Sequence, residues 1–138
     1  MVLDTSAIVA IHLQEPGYDR LIDTIDHAEI VVVGVPTLLE TAMVLTSRLG
    51  QAEAPIKGAG QDARPMLLAF LRRLQCEVVA FNEEHLDAAT TAFIRFGRGR
   101  HPAALNFGDC MAYAVASVAG MPLLFTGEDF GRTDIGRA

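Results

Sequence analysis

Met1-Val2-Leu3-Asp4-Thr5-Ser6-Ala7 places a carboxylate and two hydroxyls directly after a very short apolar strand. In an open parallel α/β sheet, ligands bind beyond the carboxyl ends of the strands, so an acid here stands where a working site would lie. Asp, Thr and Ser are also preferred N-cap residues, and the same stretch describes an ordinary helix start. The two readings part on whether other acids reach the same edge from elsewhere in the chain.

Working outward, Ser6 to Leu13 reads as a short apolar helix ended by the turn signal Pro16-Gly17. Tyr18, Leu21, Ile22 and Ile25 recur at helical spacing among acidic neighbours, the pattern of an amphipathic helix. Ile30 to Val33 is a β-branched run suited to a buried strand. Pro36 fits the first turn of a helix from Thr37 to Leu49, with Gly50 as its stop. Residues 50–65 are rich in Gly, Ala and Pro, hold the only lysine, Lys57, and predict a loop or hinge within one domain spanning residues 1–138. A helix from Pro65 to Gln75, a strand from Glu77 to Phe81 and a helix capped by Asn82 and reaching about Phe96 follow. Beyond the polar loop 97–106 comes an apolar helix, Phe107 to Ala119, closed by Gly120 and Pro122. Leu123 to Thr126 is the last strong strand, and the tail is turn-like with at most a short strand near Ile135. Strands alternating with helices predict an α/β fold, a three-layer α/β/α sandwich with a mainly parallel central sheet.

Bulk properties exclude several classes of function. The chain is 138 residues long and 51% hydrophobic, but no apolar run approaches the roughly 18 residues of a membrane span. With no basic leader before the first strand, a cytoplasmic location is expected, with Cys76 and Cys110 reduced. His12, His27, His85 and His101 are scattered without zinc-ligand spacing. A net charge of −6 argues against gripping nucleic acid by bulk electrostatics, though not against meeting a phosphate through a bound cation. The apolar excess leaves room for a partner-binding patch.

Three further acidic points bear on Asp4. Glu40, with Leu39, Met43 and Val44 around it, borders an apolar helical stripe, where a charge is unusual unless it is paired or reaches solvent. Asp109 sits in the first turn of an otherwise small and apolar helix; its spacing from Asn106 also fits a capping box, which is compatible with a second role. Glu128-Asp129 follows the last strand directly. All four points belong to one edge of the expected sheet. Ionised carboxylates brought together repel unless a divalent cation neutralises them, and an all-oxygen set selects Mg²⁺ or Mn²⁺.

Taken together, VLDTSAIVAI, TLLETAMVL, RHPAALNFGDCMAYAVA and PLLFTGEDFGRTDI resemble, in order and across the whole chain, a PIN-domain ribonuclease of the VapC toxin type. The resemblance implies Asp4, Glu40 and Asp109 as three metal-binding acids and Asp129 as the fourth, with Glu128 the alternative. It implies that Thr5 or Ser6 holds a water on the metal or the Asp4 carboxylate, with Asn106 assisting from the helix start. It further implies Mg²⁺ or Mn²⁺ as cofactor and metal-assisted hydrolysis of structured RNA, in a tRNA or rRNA loop. A VapB-like antitoxin and a homodimer are the implied partners. Arg95, Arg98, Arg100 and His101 form one basic cluster, a candidate for RNA phosphate contacts or simply cations at a helix end.

Two rivals remain at this point. An aspartyl-phosphate fold needs a lysine after a later strand, and Lys57 lies elsewhere. A catalytically silent PIN scaffold acting by binding alone would not need all four acidic positions filled.

Overall fold

A computed structural model describes residues 1–53 and 62–138. Four strands, β1 (Val2–Leu3), β2 (Val32–Gly34), β3 (Glu77–Val79) and β4 (Leu123–Leu124), form one parallel sheet in the order β3-β2-β1-β4. Around it run α1 (Thr5–His12), α2 (Tyr18–Asp26), α3 (Val35–Glu53), α4 (Arg64–Arg73), α5 (Glu83–Phe96) and α6 (Phe107–Ala119), and a 3₁₀ turn spans Phe130–Arg132. Alternation along the strands divides the core. Val2, Val32 and Leu123 face α5 and α6, in a cluster with Phe96, Tyr113 and Val115. Leu3, Val33 and Leu124 face the other way, onto Ile8, Ile25, Leu67 and Leu71 of α1, α2 and α4. This is the expected three-layer sandwich.

The order of strands fixes where a site can form. The chain steps from β1 outward to β2 and β3, then returns to lay β4 on the opposite side of β1. The crevice between β1 and β4 is therefore the switch point at which parallel sheets bind ligands, and Asp4 stands at its mouth.

Several boundaries differ from expectation. The strand after Ile30 is displaced to Val32–Gly34, leaving Ile30 half exposed. Gly34 permits this, because a Cβ there would stand 2.8 Å from Val115 Cγ2 on α6. Helix α3 does not stop at Gly50 but runs to Glu53; a lone glycine costs a helix only about 1 kcal/mol, too little to end one already propagating. The expected loop beyond it, with Lys57, falls mainly on residues 54–61, outside the described residues. The terminal strand reduces to a single bridge, Leu123 to Arg137.

Helix α3 also presents a different face from the one its sequence suggests. Thr37, Thr41 and Leu45, at four-residue spacing, are its buried positions among the described residues, whereas Leu39 and Met43 are 63% and 64% exposed. The apolar stripe beside Glu40 thus looks outward.

Candidate active site

The carboxyl edge of the sheet is assembled from the segments after β1 and β4 and from the starts of α3 and α6. Asp4 follows β1 and is 4% exposed. It caps α1, its Oδ2 accepting the Ser6 N–H at 2.9 Å and the Ser6 hydroxyl. Ser6 Oγ in turn accepts the Thr126 N–H at 3.0 Å, so one hydroxyl ties the end of β1 to the segment after β4. Burial pushes the Asp4 carboxyl up to about 6; Ser6 opposes the shift, and the charges of Asp109 and Glu40 add to it. Asp4 is thus the N-cap of α1, with its carboxylate at the switch point.

Glu40 comes from the second turn of α3. Its Oε2 accepts the Thr5 hydroxyl at 2.8 Å, and Thr41, fully buried, donates to Thr5 Oγ1 at 3.5 Å. Thr5 and Ser6 therefore serve different acids, Thr5 holding Glu40 and Ser6 holding Asp4. On its other side the Glu40 carboxylate lies against α6 at Gly108, where a Cβ would sit 2.5 Å from both oxygens. Only glycine admits that approach. Gly108 and Thr41 were not among the residues expected from sequence. The available signal was a glycine inside a helix's first turn, a position that otherwise only costs stability.

Asp109 closes the capping box foreseen with Asn106: its Oδ2 accepts the Asn106 N–H at 2.7 Å and Asn106 Oδ1 accepts the Asp109 N–H at 3.0 Å. Burial raises its pKa, Asp129 and Glu40 add to the rise, and the Asn106 N–H and Arg98 oppose it. Of the two adjacent acids after β4, Asp129 is the one whose charge adds to the rise at Asp109. Asp4, Glu40, Asp109 and Asp129 thus form one electrostatic group.

This group fits a hard divalent cation. Every donor is a carboxylate or hydroxyl oxygen. Both hydrogen bonds to Asp4 fall on Oδ2, and among the described residues Oδ1 receives none. No fully buried side-chain oxygen or nitrogen among them lacks a partner, so that free oxygen keeps contact with solvent. No three His, Cys, Asp or Glu side chains among the described residues close into a chelate. Mg²⁺ asks for none, being held typically by one or two carboxylates with waters completing its octahedron.

The basic cluster is split by the fold. Arg95 pairs with Asp134 at 2.8 Å and lies over the Phe96 ring, while Arg100 lies 5.1 Å from the centroid of Phe93. Arg98 alone acts on Asp109. His101 Nδ1 accepts the Ala103 N–H at 3.1 Å and shapes the loop ahead of α6.

Next to the acids an apolar cleft of about 700 Å³ opens between α3 and the start of α6, lined by Val35, Leu39, Glu40, Met43, Phe107 and Met111 among others. Phe107 is 77% exposed at its rim.

The PIN domain family matches residues 1–136. The chain belongs to the PIN-domain family. This PIN domain is 41% identical over 135 residues to the ribonuclease VapC of Mycolicibacterium smegmatis, covering 98% of this chain and 97% of that protein. It is 39% identical to ribonuclease VapC30 of Mycobacterium tuberculosis, covering 98% and 95%, and 34% identical to a VapC ribonuclease of Rhizobium meliloti, covering 97% and 98%. Among solved structures, VapC20 of M. tuberculosis, described as a sarcin–ricin loop cleaving toxin, superposes with a TM-score of 0.73 over 99% of this PIN domain and 97% of that chain. At 18% identity, that likeness is one of fold.

Proposed function

We propose that this PIN domain is a metal-dependent endoribonuclease, the toxin of a VapBC pair, acting in the cytoplasm on an exposed loop of tRNA or ribosomal RNA. The observation that carries the proposal is the meeting of Asp4, Glu40, Asp109 and Asp129 at the β1–β4 switch point, with the Asp4 and Asp109 carboxyls pushed upward by burial and by the charges of their acidic neighbours. Asp4 and Asp109 are the residues assigned to hold Mg²⁺ or Mn²⁺, with Glu40 and Asp129 completing the acidic rim. When bound, such a cation supplies neutralising charge and Lewis-acid polarisation of a phosphoryl oxygen. The protein's own part is to fix these acids. Ser6 orients Asp4, Thr5 orients Glu40, and Asn106 orients Asp109. An acid left with a free oxygen can then accept a proton from an attacking water. Loop RNA suits so open an edge because its bases are unstacked and its backbone accessible.

The cleft beside the acids suits the C-terminal segment of a VapB-like antitoxin, whose apolar side chains would cover Leu39, Met43 and Phe107 while an arginine reaches Glu40. A homodimer formed through further exposed apolar surface belongs to the same reading. Among the described residues, no helix is long and apolar enough to cross a membrane. The deciding experiment is RNA cleavage by the purified protein. Activity is expected to vanish with EDTA, return with Mg²⁺ or Mn²⁺, and fall by at least about 100-fold in Asp4→Asn. Cleavage that persists in EDTA, or an Asp4→Asn variant as fast as the parent, refutes the proposal.

A further inference from the structure

The acid-bearing turn after β4 carries a negative charge towards α6, whose first turn is negative as well. Asp109 and Asp129 repel, yet the turn stays in place. One helical turn further along α6, and five residues further along the tail, a second contact joins the same two segments: the Tyr113 hydroxyl donates to Asp134 Oδ1 at 2.6 Å. Asp134 Oδ2 pairs with Arg95 of α5 at 2.8 Å, and the Arg95 guanidinium lies 4.5 Å from the Phe96 ring centroid. Tyr113 is buried among the α5–α6 side chains, so its hydroxyl is a fixed anchor. Between the two contacts the tail is stiff. Thr133 donates through its N–H and its hydroxyl to the Phe130 carbonyl, and Phe130 is buried against Phe125. The two segments meet as a ladder with one repulsive rung and one attractive rung.

We propose that Tyr113, Asp134 and Arg95 form a positioning clamp that holds the acid-bearing turn against α6, so that Asp129 faces Asp109 before any cation arrives. The inference rests on the metal-dependent reading of the site. It also gives Arg95 a role distinct from RNA contact: its charge is committed to Asp134. A cation that needs both acids binds only the fraction of molecules whose turn is in place, so the apparent dissociation constant rises as that fraction falls. Outer contacts that orient metal-holding groups typically change affinity or activity by 10–100-fold.

The test compares the full-length protein with Tyr113→Phe, Asp134→Ala and Arg95→Gln, by Mn²⁺ calorimetry, amide hydrogen exchange and RNA cleavage across metal concentrations. Tyr113→Phe keeps the ring and removes only the donor, so it is the variant that stays folded if the others do not. The expected result is an Mn²⁺ affinity lowered about 10-fold in each variant, and faster exchange over residues 127–135. Cleavage should be recovered at saturating metal with an unchanged KM for RNA. Tyr113→Phe combined with Asp134→Ala should be no worse than either alone. Arg95→Gln should leave the salt dependence of RNA binding unaltered. Unchanged Mn²⁺ affinity together with unchanged exchange in Tyr113→Phe and Asp134→Ala overturns the clamp. A parent protein that binds Mn²⁺ but cuts no RNA removes the nuclease reading, and binding and exchange still decide the clamp.

Discussion

A carboxylate as buried as Asp4 is costly to the metal-free fold. Its folded value of about 6 lies above the unfolded value near 4, so between those limits the folded state keeps a proton that the unfolded chain has released. Stability therefore falls as pH rises from about 4 to 6, and above 6 the penalty is complete, on the order of 3 kcal/mol. Asp4→Asn keeps an acceptor for Ser6 and carries no charge. In metal-free buffer it should unfold at higher denaturant than the parent at pH 7 and at the same denaturant near pH 3.5. An equal difference at both pH values would show that charge burial is not the cause. Gly108→Ala tests the opposite side of the site. The added methyl displaces the Glu40 carboxylate, and a shift of about 1 Å in such a group is worth about 100-fold in kcat. A helical glycine-to-alanine change otherwise favours folding, so the expected pairing is a sharp loss of cleavage with little or no loss of thermal stability.

At the scale of elements, what was legible in the sequence was local. The Asn106–Asp109 capping box, the Asn82 cap and the span of α6 follow from neighbours three and four residues apart. Glu40 was recognisable as an unusual acid, but the orientation of α3 was not. Its apolar residues suggested a core-facing stripe, while the helix buries Thr37 and Thr41, where the Thr37 carbonyl accepts the Thr5 hydroxyl and the Thr41 hydroxyl donates to Thr5 Oγ1. Long-range pairings such as Gly108 with Glu40, or Tyr113 with Asp134, leave no trace in spacing. Arg95 and Arg98 look alike in a basic run and are separated only by the fold. The outward stripe of α3 makes its own prediction. Replacing Leu39 and Met43 with serine removes anchors worth about 1.5–3 kcal/mol each when buried in a complex. Affinity for the C-terminal peptide of the proposed antitoxin, measured by calorimetry, should fall at least 10-fold while RNA cleavage by the free protein persists. Undiminished affinity would mean that the peptide docks elsewhere.

Taken as a whole molecule, a protein of net charge −6 has to bring a polyanion to an acidic rim. Among the described residues, Arg98 and Arg100 on the loop before α6 form no salt bridge, whereas Arg95 pairs with Asp134. If both meet phosphates, the Arg98→Ala/Arg100→Ala protein should lose about 1.4 from the slope of log affinity against log salt. A filter-binding series between low and physiological salt reads this directly, and an unchanged slope excludes the loop from the RNA path.

The link from Ser6 to Thr126 spans 120 positions of the chain, so the acids on either side of it meet only through a contact of long separation. Asp4 is made before β4, Asp129 and the Tyr113–Asp134 contact, so a growing polypeptide carries it while they do not yet exist. Contacts of such separation form late in folding. On the proposed reading, a ribosome building this nuclease therefore works beside a chain whose acidic group is still incomplete. On the same reading, the interval for supplying an inhibitor opens when the segment after β4 docks.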